Sequence, residues 1–230
     1  MFAVAALALS GCVAQVPPPV SEKVQAAYDN RHSPAPVKDY TLVTVVGDSY
    51  VYGSNMGGLT TRGWTSLASA DLQGEQDVDV TNAGVGGSGY VTRGPKGVVF
   101  SEVLPQSIGP KSDLVVFFGS INDRTATPEQ VRDAASKAYA LTKEKAQNAK
   151  LLVIGPAWTS ADVPADMLAI RDALKHAASK AGAAWVDPIA ERWFFDQPAL
   201  IGSDGVHPTD EGHAYMKKMI LPHMQKALGL

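Results

Sequence analysis

Ser49 closes the stretch Val45-Val46-Gly47-Asp48-Ser49, and far downstream Asp204-Gly205-Val206-His207 sets a carboxylate and an imidazole three residues apart. A serine hydroxyl is a weak nucleophile until an adjacent base takes its proton. Histidine titrates near neutral pH and suits that task. A carboxylate on the far ring nitrogen holds the imidazole tautomer and stabilises its cation. Ser49, His207 and Asp204 are therefore candidates for nucleophile, base and orienting acid. Asp and His only three apart would face each other poorly in an extended strand, but Gly205 and Pro208 favour an irregular loop that folds the carboxylate back to the ring.

These groups need a scaffold that brings distant loops together. Tyr40 to Val46 is a continuous β-branched run, expected as a central strand buried on both faces. Val78 to Thr81, Asp113 to Phe118, Leu151 to Ile154 and Ala184 to Val186 are the further expected strands. Between them lie helical patterns. Trp64, Leu67, Ala68 and Leu72 share one face. Thr127-Pro128-Glu129-Gln130 reads as a capping box with proline in the first turn. A helix from about Pro164 is expected to stop at Gly182. Thr209 is placed to cap a last helix, which Pro222 should kink or end.

Strands alternating with helices predict a three-layer α/β/α sandwich around a parallel, flavodoxin-like five-stranded sheet. Each strand then empties into a polar or glycine-rich loop: Gly47-Asp48-Ser49, Asn82-Ala83-Gly84 and Gly119-Ser120-Ile121-Asn122-Asp123. In such a sheet these loops share the carboxyl edge, where ligands bind.

Those three blocks and Asp204-Gly205-Val206-His207, in this order, resemble the signature of the SGNH (GDSL-type) hydrolases, which are serine esterases, lipases, thioesterases and carbohydrate deacetylases. The resemblance covers about residues 41 to 210, with Ser49, Gly84, Asn122 and His207 in the named positions. It implies attack by Ser49 on an ester carbonyl, with His207 as base and then acid and Asp204 behind it, through an acyl-enzyme. It also implies an oxyanion hole made by the backbone N–H groups of Ser49 and Gly84 and the side-chain amide of Asn122. No metal and no organic cofactor is implied. The chain departs from the pattern twice: Tyr50 follows the serine, where leucine is common, and two residues rather than one separate Gly119 from Asn122. The alternative is a non-catalytic envelope lipoprotein that keeps the fold to bind glycan or lipid.

Other readings of the same residues are weaker. Gly84-Val85-Gly86-Gly87-Ser88-Gly89 matches a dinucleotide-binding pattern, but Gly94 and Pro95 lie where the required helix would open. Asp204 and His207 could form half of a metal site with Glu211 and His213, without the spacing such sites usually show. Trp64 and Trp193 read as packing residues, Trp64 being near enough to the serine loop to line its cleft.

With 45% hydrophobic and 19% charged residues the composition is that of a globular protein. A formal charge of −3 without a basic stripe argues against a nucleic-acid partner. Leu9-Ser10-Gly11-Cys12 follows a short apolar start and resembles a bacterial lipobox, although no basic residue precedes it. The expectation is a signal peptide over 1–11, lipidation of Cys12, a proline-rich tether over 12–37, and one hydrolase domain over 38–230. Such a protein would be exported to the cell envelope, anchored to a membrane by its N-terminal lipid, and would act on a small-molecule, glycan or lipid ester. The oligomeric state has no sequence signal.

Overall fold

The computed structural model describes residues 40–73 and 77–230. Cys12, the 1–11 signal and the 12–37 tether lie outside the described residues. Five strands form the sheet: β1 (Thr41–Gly47), β2 (Val78–Gly84), β3 (Ser112–Phe118), β4 (Lys150–Ile154) and β5 (Ala184–Val186). Their order is β2-β1-β3-β4-β5 and every pairing is parallel. The six α-helices among the described residues are α1 (Ser49–Tyr52), α2 (Trp64–Gln73), α3 (Phe100–Ser107), α4 (Pro128–Lys145), α5 (Ala165–Ala181) and α6 (Asp210–Leu228).

The pleat sends alternate residues to opposite faces, and here both faces are covered. Val43 and Val45 of β1, Leu114 and Val116 of β3, and Leu152 and Ile154 of β4 pack with Trp64 and Leu72 of α2 and Met216 and Ile220 of α6. The intervening Val46, Val115, Phe117 and Val153 pack with Leu104 of α3, Tyr139 of α4 and Leu174 of α5. This explains why the strands read as unbroken apolar runs. The expected sandwich is the observed one.

Several caps form as their residues dictate. Thr127 accepts from the Gln130 N–H and the Gln130 side chain accepts from the Thr127 N–H, closing the box that starts α4. Gly182 ends α5 in the left-handed conformation, and the Thr209 hydroxyl accepts from the Gly212 N–H at the start of α6.

Two expectations differ. Pro222 does not end α6, which runs on to Leu228. The proline is exposed while Ile220 and Met224 beside it are buried. The carbonyl it leaves unbonded, that of Lys218, can reach water while packing of the inner face holds the helix. A helix also forms at Phe100–Ser107, where none is among the expected helices, with Pro105 inside it and Phe100, Val103 and Leu104 buried. No helix among the described residues is long and apolar enough to cross a membrane.

Candidate active site

β1 ends at Gly47, and the chain turns at once into the single helical turn of α1. Asp48 caps that turn: its Oδ1 accepts the Tyr50 N–H at 2.9 Å. A side chain on Gly47 would collide with Val51 and with the Phe118 carbonyl, so the strand can approach β3 this closely only with glycine. Ser49 is thereby held at the carboxyl edge of the sheet.

His207 arrives from the loop before α6. Its Nε2 lies 3.0 Å from Ser49 Oγ and its Nδ1 lies 2.7 Å from Asp204 Oδ2. The turn is folded by the carboxylate itself, because Asp204 Oδ1 accepts the N–H groups of Val206 and His207, each at 2.9 Å. Gly205 takes a left-handed conformation at φ 72° within this turn. The two backbone N–H bonds and the imidazole hold the Asp204 carboxyl down at about 2, with the His207 N–H as the largest cause. It is a fixed anion at any working pH. The expected convergence of Ser49, Asp204 and His207 is present in the geometry.

Tyr50 has a part that its sequence position alone does not announce. Its hydroxyl donates to the Val206 carbonyl at 2.6 Å, tying the Ser49 turn to the histidine loop. Burial pushes its phenol well above the ordinary range, so it stays a donor. Trp64 does not line the cleft. It is fully buried under this turn, its Nε1 donating to the Tyr50 carbonyl at 2.8 Å.

The opposite side of Ser49 is built from β2 and β3. Asn122 sits in a short 3-10 turn after β3, and its Nδ2 donates to the Ser88 carbonyl at 2.9 Å and to Asp48 Oδ2 at 3.3 Å. The extra residue in this block is therefore accommodated: the amide points at the serine turn and at the glycine loop. Asp48 is fully buried, and desolvation raises its carboxyl to about 7 against the lowering effect of the Tyr50 N–H. Asp123 is buried too, and its carboxylate accepts the N–H groups of Tyr90, Val91 and Thr92 at 2.8, 3.0 and 2.8 Å. Gly89 passes so close to that carboxylate that any Cβ would collide with it.

The Gly84 N–H, expected as an oxyanion donor, is occupied in this structure. It donates to Asn82 Oδ1 at 2.9 Å, and Asn82 is itself held by donating to the Val51 carbonyl and Thr65. As bonded here the Gly84 N–H is not open to a substrate, whereas the Asn122 amide, itself bonded twice, can face one by giving up its longer bond to Asp48. Gly87, three residues on, turns at φ 75°, and neither its N–H nor that of Ser49 donates to another group among the described residues. The neighbouring Ser88 carbonyl is the one bonded to Asn122, which places Gly87 beside the amide. Gly84 ends the strand, whereas Gly86-Gly87 is a turn sequence, the pattern that leaves a backbone N–H open.

The remaining alternatives separate in space. His213 is buried against Gly58, its Nδ1 accepting weakly from the Trp64 N–H at 3.4 Å, while Glu211 is exposed. Among the described residues no group of three or more His, Cys, Asp or Glu side chains could hold a metal. The loop from Gly84 to Gly89 is followed by turns and bends, and no helix opens before Phe100. A dinucleotide has no helix N-terminus to meet there.

Comparison with known proteins agrees with this architecture. Residues 45–215 match the GDSL-like Lipase/Acylhydrolase family. The chain is 45% identical over 194 residues to the GDSL lipase Rv0518 of Mycobacterium tuberculosis, covering 80% of this chain and 82% of that protein. Among solved structures, TesA superposes with a TM-score of 0.69 at 22% identity, over 82% of this chain and all (100%) of that one. A putative arylesterase from Agrobacterium tumefaciens superposes with a TM-score of 0.64 at 18% identity, over 82% and 100%. At those identities the structures speak for the fold. The family match and the close relative go further: this chain belongs to the GDSL-like lipase/acylhydrolase family and is an SGNH-type carboxylic ester hydrolase.

Proposed function

We propose that Ser49, His207 and Asp204 act as a catalytic triad that hydrolyses acyl or acetyl esters through a serine-bound acyl intermediate. The observation that carries this reading is the continuous bond path Ser49 Oγ–His207 Nε2 at 3.0 Å and His207 Nδ1–Asp204 Oδ2 at 2.7 Å. His207 takes the proton as Ser49 Oγ bonds to the carbonyl carbon. The imidazolium then protonates the leaving alcohol as the ester C–O bond breaks. Water, deprotonated by His207, releases the acid and restores Ser49. Asp204 keeps Nδ1 protonated and Nε2 free to accept.

The tetrahedral oxyanion is received by the N–H groups of Ser49 and Gly87 and by Asn122 Nδ2, with Gly87 taking the place expected of Gly84. The open donors of Ser49 and Gly87 and the aim of the Asn122 amide support this assignment. Export and membrane attachment through a lipidated Cys12 belong to the same proposal and rest on the Leu9-Ser10-Gly11-Cys12 string. Metabolic labelling with palmitate, lost in Cys12→Ser, is the check on that part.

A fluorophosphonate probe followed by peptide mass spectrometry tests the triad. The label is expected on Ser49. Ser49→Ala is expected to lose turnover on p-nitrophenyl acetate by about 10⁴–10⁶. An unlabelled Ser49, with wild type and variant equally inert, would leave the non-catalytic glycan- or lipid-binding role as the better account.

A further inference from the structure

The turn that carries His207 holds its own shape but is loosely tied to the domain. Ser203 to Val206 are exposed, and the base of the turn is closed by the Gly202 N–H, which donates to the His207 carbonyl at 2.7 Å. Apart from the contact between His207 and Ser49, three side-chain bonds among the described residues tie residues 202–207 to the rest of the fold. The Tyr50 hydroxyl donates to the Val206 carbonyl at 2.6 Å, the Thr159 hydroxyl to the Gly205 carbonyl at 3.3 Å, and the Ser203 hydroxyl to Met56 Sδ at 3.6 Å. Only the Tyr50 bond is short.

That bond acts on one rigid unit. The Val206 carbonyl and the His207 N–H belong to the same planar peptide. Tyr50 holds its oxygen, and Asp204 Oδ1 accepts its N–H at 2.9 Å. With both ends held, the plane fixes the Cα from which the imidazole reaches Ser49. The Asp204 bond comes from inside the turn and moves with it. The Tyr50 bond comes from outside, from the residue next to Ser49. Tyr50 is 3% exposed, and its own backbone is held twice: its N–H donates to Asp48 Oδ1 at 2.9 Å and its carbonyl accepts from Trp64 Nε1 at 2.8 Å. Its ring packs edge-on against Phe118 and Phe194. A rigid side chain thus spans from the Ser49 turn to the His207 turn. Leucine, common at this position, could fill the space but has no donor to offer.

We propose that Tyr50 is a positioning residue for the reaction, its hydroxyl fixing the His207 turn at the distance from Ser49 that proton transfer requires. The proposal rests on the triad reading above and adds to it a residue that acts through His207 rather than on the substrate. Acylation and deacylation both use His207 as base and then acid, so both steps depend on this bond.

Tyr50→Phe removes the hydroxyl and keeps the ring. Turnover of p-nitrophenyl acetate, the rate of fluorophosphonate labelling at Ser49 and the urea midpoint are measured for the full chain and for Tyr50→Phe, Tyr50→Leu and Ser49→Ala. In Tyr50→Phe kcat is expected to fall about three- to tenfold, the range of one neutral hydrogen bond, with KM within about twofold of wild type. Labelling should slow by the same factor as kcat, because both need His207 to take the Ser49 proton. Tyr50→Leu also loses the ring contacts, so its urea midpoint should fall below that of Tyr50→Phe while its kcat stays close. A Tyr50→Phe with unchanged kcat, whatever its urea midpoint, would overturn the proposal. So would a fall in kcat without slower labelling, or a kcat in Tyr50→Leu far below that of Tyr50→Phe, which would give the role to the ring. Ser49→Ala keeps the two readings apart. If it abolishes turnover while Tyr50→Phe keeps full kcat, the triad stands and the positioning role falls. If Ser49→Ala retains turnover, the triad reading itself fails.

Discussion

The two walls of the Ser49 site are held in opposite ways. The histidine wall is local: Asp204 folds its own turn by accepting the N–H groups of Val206 and His207, and its other oxygen meets the ring three residues away. The opposite wall, proposed to receive the oxyanion, is assembled from afar. Asn122 is bonded to Ser88 and Asp48, and Asp123 captures three consecutive N–H groups of the 90–92 loop, more than 30 residues distant. A half-exposed carboxylate with several donors is stabilised as an anion, as Asp204 is. A carboxylate buried with few donors is destabilised as an anion, as Asp48 is. The histidine wall tolerates solvent because its bonds are short-range. The oxyanion wall depends on being dry and packed.

The largest expected effect breaks the local wall. Asp204→Asn keeps the size of the side chain but presents a donor to one of its present donors, favouring the wrong imidazole tautomer. Turnover on p-nitrophenyl acetate should fall by about 10⁴, measured beside circular dichroism to show that the fold is kept. A loss below tenfold would mean that Asp204 does not orient His207.

Asn122→Ala should cost turnover about 10²–10³, the range of one oxyanion donor. Fluorophosphonate labelling of Ser49 should slow far less than turnover falls. Equal slowing of both would point to collapse of the serine turn rather than to a lost donor.

Asp123→Asn sharpens the contrast, because it faces an amide N–H₂ toward backbone donors. At least one buried N–H loses its acceptor, so stability should drop by about 2–3 kcal/mol in urea unfolding. An unchanged midpoint would remove Asp123 as the clamp between the two loops.

The smallest effect concerns pH. The carboxyl of Asp48 stands at about 7 in the folded chain, above its ordinary 3.8. The folded state therefore keeps a proton that the unfolded chain releases. The contribution is fully present below about pH 4, declines as pH rises toward 7, and is level above it. Asp48→Asn should flatten this decline, so the stability difference between variant and wild type should drift in favour of the variant between pH 4 and 7. Parallel curves across that window would show that Asp48 does not titrate there.

Much of this was legible in residue order. The apolar runs located all five strands, the Thr127–Gln130 box and Gly182 marked helix ends, and Ser49, Asp204 and His207 were identifiable by type and spacing. These features are encoded within a few residues: period-two burial, a cap, a glycine-containing turn that folds a carboxylate back. The oxyanion wall was less legible. Gly84 and Gly87 are alike as letters, and only the Asn82 side chain across the loop decides which N–H is occupied. Asp123 looked like the end of a block and is a buried clamp. Pro222, expected to kink or end the last helix, does not end it and lies on the exposed face of a helix whose inner face is packed. The sequence by itself determined the sheet and made Ser49, His207 and Asp204 the candidates for nucleophile, base and acid, because short-range geometry and hydrophobic pattern suffice for them. Which backbone donors remain free, and which carboxylates are dry, was decided by tertiary structure, since both depend on partners brought together only when distant segments pack.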